Sequence, residues 1–128
     1  MANDVACRHT ALDFSRAPVD RVLFPNIEPD VIPGSSSQAD AEIREAIVHL
    51  HQRILGRYDK IDSPEVERTY KLFAGIVTDA AARKGTGDTE IYGARQRLLK
   101  PVPDPHYTVR AWRAVVTYLL RQHEFLYE

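Results

Sequence analysis

Residues 104–128 read DPHYTVRAWRAVVTYLLRQHEFLYE, and the fold turns on how this stretch is interpreted. Placed at about 100° per residue, Trp112, Val115, Val116, Leu119, Leu120, Leu126 and Tyr127 share one helical face, which Ala111, Ala114, Tyr118 and Phe125 extend. Only a strip of Arg110, Arg113, Thr117, Arg121 and Glu124 is left for water. A helix with so little polar surface is either the centre of its own bundle or presses a spare face on a partner. Asp104, ahead of Pro105, is placed to cap it, with Thr108 the alternative cap.

Two further helices are expected upstream. One starts near Ser37 or Gln38, where a serine is followed three residues on by Asp40, and stops at Gly56. Ile43, Ile47, Leu50 and Ile54 form its apolar stripe. The other opens at Ser63-Pro64-Glu65 with a serine to cap, a proline at the first position and acids in the first turn. Val66, Tyr70, Phe73, Val77, Ala80 and Ala81 repeat on its inner face until Lys84-Gly85. Glycines weaken the pattern beyond, although Asp88 is suited to cap a short helix from Thr89 to about Leu99. Lys100 to Pro105 is then a stiff, extended connector.

Residues 1–37 have a different character. Pro18, Pro25, Pro29 and Pro33 recur, and Gly34-Ser35-Ser36-Ser37 closes the segment. Proline at that frequency predicts an extended arm with at most a short edge strand around Arg21–Phe24. Val22, Leu23, Phe24, Ile27, Val31 and Ile32 are too apolar for a solvated linker, so the arm should pack across the helices or into a neighbouring molecule. The expected architecture is all-α: a three- or four-helix bundle over 38–128, preceded by an extended proline-rich arm over 1–37.

A chain of 128 residues, 44% hydrophobic and 27% charged, is one domain's worth of ordinary globular sequence. Its net charge of −1 gives no overall field that favours nucleic acid or an anionic membrane. The single cysteine, Cys7, excludes an intramolecular disulfide. No basic start with an apolar run follows Met1, and no stretch reaches membrane-spanning length. The chain as written is expected in the cytoplasm, or in the periplasm if a leader has been removed.

Several residue patterns point towards chemistry. His51 lies about 60° from the axis of the Ile43, Ile47, Ile54 stripe, and His123 within about 20° of the Trp112, Val116, Leu119 stripe. Both are therefore candidate inward ligands for a transition metal or haem, against the plainer reading of hydrogen-bonded core histidines. His49 points away from that stripe, although Glu45 and His49 share a helical edge. Cys7-Arg8-His9 lacks the second cysteine of a C-x-x-C-H haem attachment site. Gly85-Thr86-Gly87-Asp88 reads as a helix stop and cap, without the lysine and hydroxyl of a phosphate loop. Arg110, Arg113 and Arg121 could grip an anion or an acidic partner, or be solvated and paired with Glu65 and Glu67. Asp59, Asp62, Glu65 and Glu67 cluster as a soluble loop plus helix N-terminal acids. Tyr70, His51, His123 and Asp79 are unordered candidates for a catalytic cleft.

The run Arg110 to Glu128, ending in EFLY, resembles a helical segment of large planctomycete and myxobacterial proteins associated with c-type cytochrome domains. The resemblance covers about one sixth of the chain. It implies an exported helical module working beside a haem protein, whereas no signal sequence is expected from the residues after Met1 and the single cysteine makes no C-x-x-C-H site.

The function expected from these features is that of a non-catalytic accessory or assembly subunit. Its contacts with a protein partner or a second copy would use Val22, Leu23, Phe24 and Ile27 of the arm and Tyr118 and Phe125 of the last helix. The alternative is a helical redox or metal-binding protein with His51 and His123 as ligands. No cofactor is required by the sequence.

Overall fold

Helix ends in this chain are set by identifiable caps. In the computed structural model, which describes residues 2–83, 91–92 and 102–127, the four helices are α1 (Ala2–Phe14), α2 (Ser37–Leu50), α3 (Pro64–Arg83) and α4 (Thr108–Tyr127). The chain is an all-α bundle, as its periodicity predicts. Ser36 caps α2 by accepting the Ala39 N–H at 3.0 Å, and Asp40 reaches back to accept the Gly34 N–H at 2.8 Å. The cap thus sits one residue before the expected serine. The helix runs on into a π-helical turn, His51–Leu55, and ends at Gly56, whose φ of 68° suits glycine and lets its N–H reach the Gln52 carbonyl at 3.1 Å. The extra residue of the π turn shifts the stripe, so Leu55 enters the core and Ile54 stays half-buried. Ser63 caps α3 through the Val66 N–H.

The last helix enters through Asp104. This fully buried carboxylate accepts the Val109 and Arg110 N–H groups at 3.0 and 3.2 Å and the Arg110 Nε at 3.2 Å. Helical geometry itself begins at Thr108, after Tyr107 takes a left-handed φ of 64°. The Thr108 hydroxyl donates to the Pro29 carbonyl, tying the helix start to the N-terminal segment.

Two expectations need correction. The arm is not extended throughout, because α1 occupies Ala2–Phe14 and all the prolines of the segment lie beyond it, from Pro18 on. The short helix expected over 89–99 falls mostly outside the described residues. The two that are described, Ile91 and Tyr92, form a two-residue strand (β1) antiparallel to Val102–Pro103 (β2).

Helix α4 is the centre of the bundle, packed by α1, α3 and the π turn. Phe14, Phe24, Trp112 and Phe73 follow one another through the core with ring centroids 4.4, 5.4 and 4.1 Å apart, the first pair stacked and the other two tilted. Helix α4 packs against α1, and Ala111 of α4 and Ala6 and Ala11 of α1 are all buried.

The proline-bearing segment after Phe14 is fixed by polar contacts as well as by packing. Asp13, itself buried, accepts the N–H groups of Val22 at 2.9 Å, Leu23 at 3.0 Å and Phe24 at 2.8 Å. His49 Nε2 lies 2.7 Å from the Val22 carbonyl, so α2 holds the same residue from the other side. Arg21 donates to the carbonyls of Arg16 and Ile27 and pairs with Glu28. Between α2 and α3, Arg44 pairs with Glu67 at 3.0 Å and stacks 4.0 Å from the centre of the Tyr70 ring.

Candidate functional site

Three concave regions lie on the described residues: one of about 520 Å³ along α3 between Lys71 and Arg83, a polar cleft and an apolar groove. The polar cleft, of about 740 Å³, lies where the π turn, the loop after it, α3 and α4 meet. Its floor is a hydrogen-bonded relay. His51 Nδ1 is 2.7 Å from Asp59 Oδ2, and His51 Nε2 is 3.0 Å from Thr69 Oγ1. Asp59 Oδ2 also accepts from Arg57 Nε at 2.8 Å. Burial holds the His51 pKa below its ordinary value, outweighing the attraction of Asp59. The Asp59 carboxyl is drawn up by burial, but its hydrogen bonds with Arg57 and His51 prevail and leave it below the usual range. The neutral imidazole therefore carries its proton on Nδ1, facing Asp59, and its Nε2 accepts from the Thr69 hydroxyl.

Carboxylate, imidazole and hydroxyl in that order resemble the relay that activates a nucleophile. Here the reacting end is closed, because His51 and Thr69 are each 1% exposed. The one Thr69 hydroxyl proton is shared with the Glu65 carbonyl, 3.2 Å away one helical turn back, so the hydroxyl is held against its own helix. The relay is a structural tie between the π turn, the following loop and α3, with Arg57, Glu65, Arg68, Tyr118 and Arg121 above it.

The apolar groove, of about 390 Å³, runs between α1, the proline-bearing segment, the π turn and α4. Val5, Leu12, Val22, Leu23, Ile54 and Leu120 line it, and His9 and Arg16 stand on its rim. Val5 and Val22 are 39% and 43% exposed. Val5, His9 and Leu12 follow one helical edge of α1, so the groove has one wall built on regular structure.

The expected contact residues separate in the structure. Val22 and Leu23 do line the groove. Phe24 and Ile27 do not, because they are 0% and 2% exposed in the core of their own chain, where Asp13 draws the segment inward. Tyr118 is half-buried on the polar cleft, away from the groove lining, and the Phe125 side chain lies outside the described residues. His51 is inward as its phase predicts, but both its nitrogens are engaged. His123 is exposed and does not join it. Among the described residues no three His, Cys, Asp or Glu side chains come together to hold a metal ion. Tyr70 and Asp79 stand elsewhere, the first donating to Asp40 at 2.7 Å and the second paired with Arg83 at 3.2 Å.

Sequence reasoning missed Asp13, Thr69 and the role of Asp59. Thr69 did leave a signal: it falls between Val66 and Phe73 on the buried face of α3, and a polar residue in an apolar stripe calls for a buried partner. Asp13 left none, since the amides it binds are nine to eleven residues away in the sequence.

No helix of the described residues is long and apolar enough to cross a membrane. Compared with known proteins, the chain matches no family model, no curated protein and no solved structure.

Proposed function

We propose that the protein is a non-catalytic accessory module that docks a segment of a partner protein in the groove between α1 and the proline-bearing segment. The observation that carries this reading is the solvent exposure of Val5 and Val22 beside half-buried Leu12, Leu23, Ile54 and Leu120, an apolar lining gathered in one groove. The groove accommodates one or two apolar side chains. The basic rim of His9 and Arg16 selects a segment with acidic flanks, since opposite charge at the rim favours encounter and orientation. Asp13, the carboxylate nearest this rim, stands 3.9 Å from Arg16 Nη1 but commits both oxygens to backbone amides, so the exposed Arg16 guanidinium keeps donors for an acidic flank.

Size-exclusion chromatography of the protein in extracts of its native cells tests this reading. The chain is expected to elute as part of a larger assembly, and a Val22→Ser, Arg16→Glu variant to elute at the monomer position with an unchanged circular dichroism spectrum. Elution of the parent chain as a monomer at every dilution, or retention of the assembly by the variant, would overturn it.

A further inference from the structure

The polar cleft above the His51 relay is independent of the groove. Arg57, Arg68 and Arg121 reach it from three different elements, the loop after the π turn, α3 and α4, and the carboxylates among its lining are Asp59 and Glu65. Arg57 and Asp59 are spent on one another. Arg68 and Arg121 have no ion-pair partner among the described residues, although Glu65 lines the same cleft. The neutral imidazole of His51 adds no charge to the floor.

Arg68 and Arg121 bring two guanidiniums to the lining of one concavity, and such groups pair bidentately with an oxyanion. A volume of about 740 Å³ is far larger than an inorganic anion needs and is in the range of small-molecule sites. The half-buried ring of Tyr118 supplies a flat apolar wall for the rest of such a ligand. Glu65 opposes a polyanion and restricts the class to ligands of low charge.

We propose that this cleft binds a small organic oxyanion, a carboxylate or a phosphate monoester, clamped between Arg68 and Arg121 against the Tyr118 ring. The site is a binding site and not a catalytic one, because the relay beneath it is closed.

Titration of isotopically labelled protein with benzoate and, separately, phenyl phosphate, each to about 10 mM at low salt, reads this directly by amide chemical shift. Saturable shifts centred on Thr69, Tyr118 and Gln122 are expected for at least one probe, and the tighter of the two identifies the oxyanion. An Arg68→Gln, Arg121→Gln variant should weaken binding at least about tenfold while keeping the parent's helicity, since both side chains are exposed. Absence of saturable shifts with both probes, shifts centred on the apolar groove instead, or undiminished binding by the double variant would each overturn the proposal. The Val22→Ser, Arg16→Glu variant should bind the probes as the parent does, which keeps failure here distinct from failure of the docking reading.

Discussion

At the scale of single residues, the buried polar groups govern how stability responds to pH. The folded-state pKa of His51 is depressed below its ordinary 6.5, so the unfolded chain takes up a proton at a higher pH than the folded one. The stability tied to neutral His51 is complete above pH 6.5 and declines as pH falls from there towards the folded-state pKa. Denaturant midpoints measured between neutrality and pH 5 should show this decline, and a His51→Gln variant should lose it; equal slopes in the two proteins would contradict the assignment. Asp40 and Asp59, both depressed below 3.8, release their contribution only below that value. Tyr70 belongs to the same set: burial and its bond to Asp40 push its pKa up to about 12. Tyr70→Phe should cost about 1 kcal/mol in chemical denaturation, the usual net worth of such a bond.

At the scale of elements, the proline-bearing segment behaves as part of the core. Asp13 at the end of α1 binds three successive amides, and their geometry carries the Phe24 ring between Phe14 and Trp112. Asp13→Ala strands those amides and should destabilise by about 3 kcal/mol or more, read from denaturant unfolding. Phe24→Ser should cost about 3–5 kcal/mol and lower helicity near the unfolding midpoint, the signature of a lost core residue and not of a lost contact surface. Helices α2, α3 and α4 are legible in the sequence because Ile, Leu, Val and aromatic residues mark their inner faces and serine, proline and glycine mark their ends. Helix α1 is not, because apart from Phe14 at its end the residues seen buried on it are Ala6, Thr10, Ala11 and Asp13, small or polar residues that leave no periodic apolar stripe. That buried face contains a cost as well, since Thr10 Oγ1 is buried without a hydrogen-bond partner among the described residues.

At the scale of the molecule, part of the apolar excess of α4 is covered inside the chain: Ala111 is buried, while Ala114 and Tyr118 are half-buried. The sequence offers that excess as the motive for a partner, and α1 answers part of it by packing on α4. The surface that remains for docking is narrower than the arm and helix face predicted, and it is made where α1 and the residues around Val22 meet. Neither concavity was legible in advance: the groove needs α1 to be a helix, and the cleft needs Arg68 and Arg121 to approach from helices more than fifty residues apart in the sequence. Both depend on tertiary placement, which periodicity does not encode. Docking through the groove is the claim on which the functional account rests. A photo-crosslinking amino acid introduced at Val22, with Glu45 on the exposed surface of α2 as the control position, tests it most directly in native cells. A discrete protein adduct is expected from position 22, lost when Arg16→Glu is added, and none from position 45. Adducts of equal yield from both positions, or none from position 22, would contradict it.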